Sequence, residues 1–305
     1  MLPEFQSILE LTTTFPTEVS CIEHLEAIRW NGNVVSPFDA TSKVYKCKGN
    51  KYKCKNTGKY FNVRTATIFE DTKLPLQKWF MALYIFSSHK KGISSHQLAK
   101  DLDITQKSAW FVLHRLRYAF DHPAFKALMN NTVEVDETYV GGREINKHES
   151  KKNYADGQKR LNEKAPIIGL IDREDGRVIV QQVDKPSHDV IEYIVTKNVS
   201  QEATLISDQS RAYNKMHKFY DHKRVDHSAK QYVNGIAHTN TIEGFWSQLK
   251  RGIDGIYHWV SVKHLGAYAH EFAYRYNTRK INENNRFNLV LANMVGRLTY
   301  KELIA

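Results

Sequence analysis

Cysteine is scarce, with three in 305 residues. That is too few for a disulfide scaffold and fits a reducing cytosol. Long apolar runs are missing as well. The longest useful one, Trp79 to Phe86, falls far short of the roughly 20 residues a membrane helix needs. The opening stretch MLPEFQSILELTTTF carries acids and no basic start, so it does not read as a secretory signal. There is no internal repeat and no low-complexity tract. Acid is in deficit: 33 Asp plus Glu face 44 Lys plus Arg, a formal charge of +11. With a pI near 9.3, the chain calls for a polyanionic partner, nucleic acid before an anionic membrane. Apolar residues make up 41% and aromatics 11%, enough for a real core, so global disorder is excluded. A soluble, basic protein of two or three folding units remains.

The chain changes character three times. Residues 1–70 hold all three cysteines, and from Thr41 to Asn62 there are seven lysines and no acid. Cys21 and His24 stand at C-x-x-H spacing, and Cys47 and Cys54 follow. The layout suggests a degenerate zinc ribbon with these four as candidate ligands; a metal-free relic of such a ribbon is the alternative. The lysines alternate with Tyr45, Tyr52, Tyr60 and Phe61, a pattern able to track phosphates while aromatic rings pack or stack.

Residues 71–125 read as helical. Leu74 to Ser88 is apolar all round, with Pro75 suited to a first turn. Ser94 or Ser95 can cap a short helix that turns Leu98, Ala99 and Leu102 inward. After Asp103 and Ile104, Thr105 can cap a second helix with Ala109, Val112, Leu113 and Leu116 on one face. This is helix-turn-helix spacing. It predicts that Gln106, Lys107, Ser108, Trp110 and His114 face a DNA groove, backed by a basic tail at Arg115 and Arg117.

Residues 130–285 alternate β-branched strands with helices, an α/β pattern, and 286–305 read as a C-terminal helix. In TVEVDETYVGG, Val133 and Val135 face one side; Glu134, Asp136 and Thr138 face the other. PIIGLIDREDGRVIVQQV reads as a hairpin turning at Glu174-Asp175-Gly176. TLISD is a buried strand that ends on Asp208, so its carboxylate points into the crevice at the strand ends. In HTNTIEGFWSQLKRGI, Ile242, Phe245, Trp246, Leu249 and Ile253 form an apolar stripe, and Asn240, Glu243, Ser247 and Lys250 a polar one beside it. An Asp on a first strand, an Asp ending a later strand and a Glu on a helix form the oxygen-rich set that two divalent ions require for phosphoryl transfer. The order of elements fits a ribonuclease-H-like sheet.

The stretches GKYFNVRTATIFEDTKLPLQKWF, VEVDETYVGGRE, SDQSRAY and HTNTIEGFWSQLKRGIDGIYHWVSVKHL together resemble the DDE-class insertion-sequence transposases of the bacterial ISXO-like group, over about Cys21 to Arg279. The resemblance implies Asp136 and Asp208 as the two aspartates. Glu243 or Asn240 is the third ligand, and Lys250 lies near a phosphate. Two Mg²⁺ or Mn²⁺ ions are implied, with Asp136 on both, Asp208 on one and Glu243 on the other. Zn²⁺ is left open. The implied partners are the element's terminal inverted repeats and target DNA, engaged by a homo-oligomer on paired ends, in the bacterial cytoplasm at the nucleoid and not at a membrane. Arg251, and beyond it Arg275, Arg279, Lys280 and Arg286, would track the DNA backbone, joined by a basic loop from Lys147 to Lys164. Two other readings stay open: a helix-turn-helix regulator without catalysis, and a ribonuclease-H-like nuclease or resolvase that cuts and never joins.

Overall fold

The computed structural model describes residues 3–120, 127–141, 154–155, 158–159, 164–225 and 238–305. The chain divides into two units, Met1–His122 with Lys280–Ala305, and Pro123–Arg279.

In the first unit, α1 (Ile8–Thr14) and α2 (Glu18–Trp30) lead into a three-stranded antiparallel sheet of β1 (Val44–Cys47), β2 (Lys51–Cys54) and β3 (Tyr60–Phe61). α2 starts at a capping box in which Thr17 and Ser20 satisfy each other's amides, and it stops where Asn31 turns left-handed. α3 (Leu76–Ser88) is the central helix of this unit, and nine of its residues are buried. α4 (Ser95–Leu102) begins where the Ser94 hydroxyl accepts the Gln97 amide and ends at the left-handed Asp103. Thr105 in turn accepts the Ser108 amide and starts α5 (Gln106–Ala119). The apolar residues expected to face inward on these two helices are buried.

The second unit is built on a mixed five-stranded sheet. Its strands are β4 (Thr132–Val140), β7 (Ala165–Asp172), β8 (Arg177–Gln182), β9 (Thr204–Asp208) and β10 (Asp221–Val225); the two-residue strands β5 (Tyr154–Ala155) and β6 (Gln158–Lys159) pair separately. The spatial order is β10-β9-β4-β7-β8, and β7 alone runs against the rest. Ranked along the chain, that order is 3-2-1-4-5 read from β8. β7 is buried along its whole length, which explains its unbroken apolar run APIIGLID: helices cover both faces. On one face α6 (His188–Asn198) sets Ile191, Ile194 and Val195 against Val133, Val135, Ile168 and Leu170. On the other, α7 (Asn240–Gly252) and α8 (Val262–Asn277) set Ile242, Phe245, Trp246, Leu249 and Leu265 against Ile167, Ile171, Val178 and Val180.

After α8 the chain returns to the first unit with α9 (Glu283–Ala292) and α10 (Tyr300–Ile304). Phe287 of α9 meets Phe5 at 5.1 Å and Phe80 at 5.3 Å between ring centroids, so the C-terminal segment completes the N-terminal core. Among the described residues no helix is long and apolar enough to cross a membrane.

Gly169, in the middle of β7, seats α7. A Cβ there would stand 2.5 Å from the Trp246 indole, so only glycine leaves room for the ring against the strand. Gly169→Ala is expected to cost about 1–3 kcal/mol through overpacking, read as a lower urea midpoint at unchanged slope. An unchanged midpoint would mean that α7 is not held against β7 at this point.

Candidate active site

The parallel register of β4 and β9 brings two carboxylates together. Glu134 pairs with Ile206, and two residues further along both strands stand Asp136 and Asp208. Register partners in a parallel pair point the same way, so both carboxylates lie on the face that α7 covers, at the C-terminal end of β9. The Asp208 charge acts on Asp136. Asp136 Oδ2 accepts the Trp246 indole N–H at 3.0 Å, and Asp208 Oδ1 accepts the Ser210 amide at 2.9 Å. Both donors are neutral, so they orient the carboxylates without cancelling their charge.

α7 has no side-chain cap of its own. Glu134, fully buried on β4, supplies one from outside. Its Oε2 accepts the Ile242 amide at 2.9 Å, and its Oε1 accepts Arg173 Nε at 2.6 Å and lies 3.4 Å from His238 Nδ1. Arg173 Nη2 also donates to the His238 carbonyl at 2.5 Å. The carboxylate thus meets the positive end of the helix dipole and a guanidinium together. Glu134 and Asp136 are two strand residues apart, about 6.6 Å; Ile242 and Trp246 are four helical residues apart, about 6 Å. The spacings match, so β4 grips α7 at two successive points and fixes its register along the strand.

That grip sets Glu243 and Asn240, both exposed in the first turn of α7, beside the seam that holds Asp136. The Glu243 carboxylate accepts the hydroxyl of the buried Thr239 at 3.0 Å. Among the described residues no three His, Cys, Asp or Glu side chains converge as a finished metal cage. What the fold brings together is the Asp136–Asp208 pair, with Glu137 behind it. Glu137 points to the opposite face of β4 and accepts a short hydrogen bond from the buried Tyr213 hydroxyl. Burial, and then the Glu137 and Asp208 charges, push the Asp136 carboxyl up to about 7 against the pull of the Trp246 hydrogen bond. Burial, with Asp208 adding, also raises Glu137, while Tyr213 opposes. Crowded, half-buried and without a basic partner in this set, the aspartates suit a divalent cation.

Several expected residues sit elsewhere or do other work. Lys250 and Arg251 are exposed at the last turn of α7, and Arg251 Nε donates to the Ser247 carbonyl at 3.1 Å. Arg275 is buried against Glu271 at 2.7 Å, Arg279 donates to the Gly176 carbonyl at 2.9 Å, and Arg286 donates to the Ser87 carbonyl at 2.5 Å. Arg275 and Arg286 are buried and hold the fold, which corrects their assignment to the DNA backbone, while Arg279 is exposed. On α5, Gln106, Lys107 and Ser108 are exposed as expected, but Lys107 Nζ lies 4.8 Å over the Tyr300 ring. Trp110 is half-buried on His114, with 4.4 Å between ring centroids, and His114 is only 2% exposed, so it cannot face a groove. Arg115 donates to the carbonyls of Ile68, Glu70 and Leu298, and Arg117 is buried, so the basic tail is structural. Most of the loop from Lys147 to Lys164 lies outside the described residues.

The four expected zinc ligands do not gather. Cys21 and His24 lie on α2, where His24 packs on Phe15 with ring centroids 4.8 Å apart and its Nε2 is 3.2 Å from Asn288 Oδ1. Burial pushes the Cys21 thiol up to about 12, which keeps it neutral. Cys47 pairs with Lys51, and Cys54 with Val44. Three positions apart in register, the two thiols face opposite sides of the sheet. Around Cys54 stand hydroxyls: burial pushes its thiol up, but hydrogen bonds from Ser36, Ser42 and Thr57 outweigh it and bring the thiol down to about 6. One thiol among three hydroxyls is not a tetrahedral zinc set.

Sequence reasoning passed over Glu134, Arg173 and the Glu137–Tyr213 pair. The signal was present in E-V-D-E, three acids within four residues of an otherwise apolar strand. Buried acids in such a place must have partners. Glu134→Ala would leave Arg173 and the Ile242 amide without their acceptor and is expected to cost about 3 kcal/mol or more. Urea unfolding of the purified chain measures this, and Glu134→Gln, which keeps an acceptor, should lose less. Equal stability of the alanine variant and the parent would remove Glu134 as the anchor of α7.

Residues 128–277 match the ISXO2-like transposase domain family. A protein of Halobacterium salinarum, given as an uncharacterized protein in transposable element ISH50, is 27% identical over 274 residues, covering 86% of this chain and 92% of its own. Two solved Mos1 assemblies, a pre-cleavage transpososome and a mariner paired end complex with Mn, share 11% identity with this chain over 66% of its length and 78% of theirs, at TM-scores of 0.21 and 0.22. With a transposase domain laid over the unit that carries Asp136, Asp208 and α7, and a full-length relative in a transposable element, the chain belongs to the ISXO-like group of insertion-sequence transposases.

Proposed function

We propose that this transposase binds the ends of its own element and carries out divalent-metal-dependent DNA cleavage and strand transfer, as a DDE enzyme on a ribonuclease-H-like sheet. The observation that carries the reading is the half-buried Asp136–Asp208 pair, two residues beyond the Glu134–Ile206 register on adjacent parallel strands under α7. The strand order 3-2-1-4-5, with only the second strand reversed, supports the ribonuclease-H-like assignment.

Asp136 and Asp208 would hold the Mg²⁺ or Mn²⁺ ions, with Glu243 from the first turn of α7 as the third ligand and Asn240 as its competitor. Two such ions, when bound, neutralise the phosphate and clamp the attacking and leaving oxygens of an in-line displacement. The Trp246 N–H occupies one oxygen of Asp136 and leaves the other for the metal side. Glu243 is favoured over Asn240 by charge, since a carboxylate is the stronger ligand for a hard cation. Its bond to Thr239 would have to open when a metal binds. Lys250, two turns beyond Glu243 on the same helical face, is placed to meet a DNA phosphate.

End recognition falls to α4 and α5, two short helices joined by a tight turn in helix-turn-helix order. Gln106, Lys107 and Ser108 in the exposed first turn of α5 are the base-reading candidates, which suits a recognition helix that reads with its N-terminal residues. Joining two ends requires at least two protomers in the working complex.

Single-turnover cleavage of an end oligonucleotide with Mg²⁺ tests the reading. Asp136→Asn and Asp208→Asn should each abolish cleavage and leave DNA binding intact. Glu243→Gln should remove nearly all activity, and Asn240→Ala less. Full cleavage by Asp136→Asn would overturn the assignment, the reverse ranking on α7 would make Asn240 the ligand, and cutting without joining would mark a nuclease.

A further inference from the structure

The three-stranded sheet of the first unit sorts its aromatic residues by face. Tyr52, Cys54 and Phe61 are buried, and Trp30 meets Tyr52 at 5.2 Å and Phe61 at 6.1 Å between ring centroids. The other face has a different make-up. Tyr45 pairs with Lys53, and Lys53 with Tyr60, so one row of side chains, Tyr-Lys-Tyr, crosses all three strands. The Lys55 amide donates to the Lys43 carbonyl at 2.9 Å, which sets those two lysines in the next row on the same face. Lys51 extends the face on the other side, opposite Cys47. Tyr45 is 43% exposed and Tyr60 60%. Lys43 Nζ lies 5.6 Å over the Tyr45 ring, and Lys53 Nζ 5.5 Å over the Tyr60 ring. From Thr41 to Asn62 the sequence has seven lysines and no acid.

A solvated sheet face has no need of two exposed tyrosines, and the core does not use them. Lysines alone would serve to hold duplex phosphates. The rings add something a duplex cannot use, because its base faces are covered by neighbouring pairs; unpaired bases can stack on them. We propose that this face binds single-stranded DNA, with bases stacked on Tyr45 and Tyr60 and phosphates neutralised by Lys43, Lys51, Lys53 and Lys55. The choice of single strand over duplex comes from the rings and the charge. The choice of DNA over RNA rests on the transposase reading, in which cutting at an element's end exposes unpaired strand.

Fluorescence anisotropy of a labelled oligothymidylate against the full chain, without divalent ions, tests this apart from any cleavage. The parent chain should bind. The double variant Tyr45→Ala/Tyr60→Ala should bind about 30-fold or more weakly, as expected for two lost stacks at the low end of their range. Tyr45→Phe/Tyr60→Phe, which keeps the rings, should stay within about 3-fold of the parent, and a duplex of equal length should hardly distinguish the three proteins. A parent chain that fails to bind the strand, or an alanine variant that binds it equally well, would overturn the proposal. An oligouridylate bound more tightly than the oligothymidylate would overturn the DNA assignment. Loss of cleavage in an Asp136 variant leaves this result untouched, so the two readings fail separately.

Discussion

The buried charge of Glu134 is what the rest of the catalytic unit depends on. A carboxylate taken wholly out of water is tolerated only when it is paired and its oxygens are satisfied. Here the partners are Arg173 and the first turn of α7. The constraint works both ways: the charge needs the helix end, and the helix, lacking its own cap, needs the charge. Because Asp136 follows two residues later on the same strand and takes the Trp246 N–H, the position of α7 over the sheet is set at two points. Gly169 then supplies the clearance that Trp246 needs against β7. The placement of Glu243, Asn240 and Lys250 on α7 follows from that register.

Next to this satisfied acid sits an unsatisfied pair. Asp136 and Asp208 are oriented by neutral donors and crowded by Glu137, so Asp136 holds its proton up to about 7. For an acid whose folded pKa is raised, the folded state binds more protons than the unfolded one between the ordinary carboxylate range and about 7. Stability contributed by the protonated group is therefore lost as pH rises through that window. A bound cation reverses the balance by favouring the ionised form. The two acids of one strand face thus divide the work: Glu134 is neutralised from within the protein and builds the site, and Asp136 is left for something that arrives.

The strands and helices of the second unit were legible because each obeys one period. Val133 and Val135 alternate with Glu134 and Asp136, TLISD is a short apolar run ending on its acid, and the stripe from Ile242 to Ile253 is helical. Charge was harder to read. Arg115, Arg275, Arg279 and Arg286 look like a basic DNA surface in the sequence, yet each donates to a carbonyl or carboxylate of the fold. A guanidinium is equally suited to either use, and only tertiary structure decides. Cys21 and His24 misled for a related reason: C-x-x-H is a metal-turn spacing and equally an i, i+3 spacing on one helical face, and here it is the helix. The return of α9 to complete the N-terminal core depends on contacts some 200 residues apart, which no local pattern encodes; Phe287 reaches back that far to Phe80, and Arg286 to Ser87.

Whether the Asp136–Asp208 pair under α7 holds divalent metal is read from anomalous diffraction by crystals soaked in Mn²⁺. A metal site there should give an anomalous peak in contact with both carboxylates and on the side of Asp136 away from Trp246. A map with no peak at the pair, or one whose manganese sits elsewhere in the unit with these aspartates free, would contradict it.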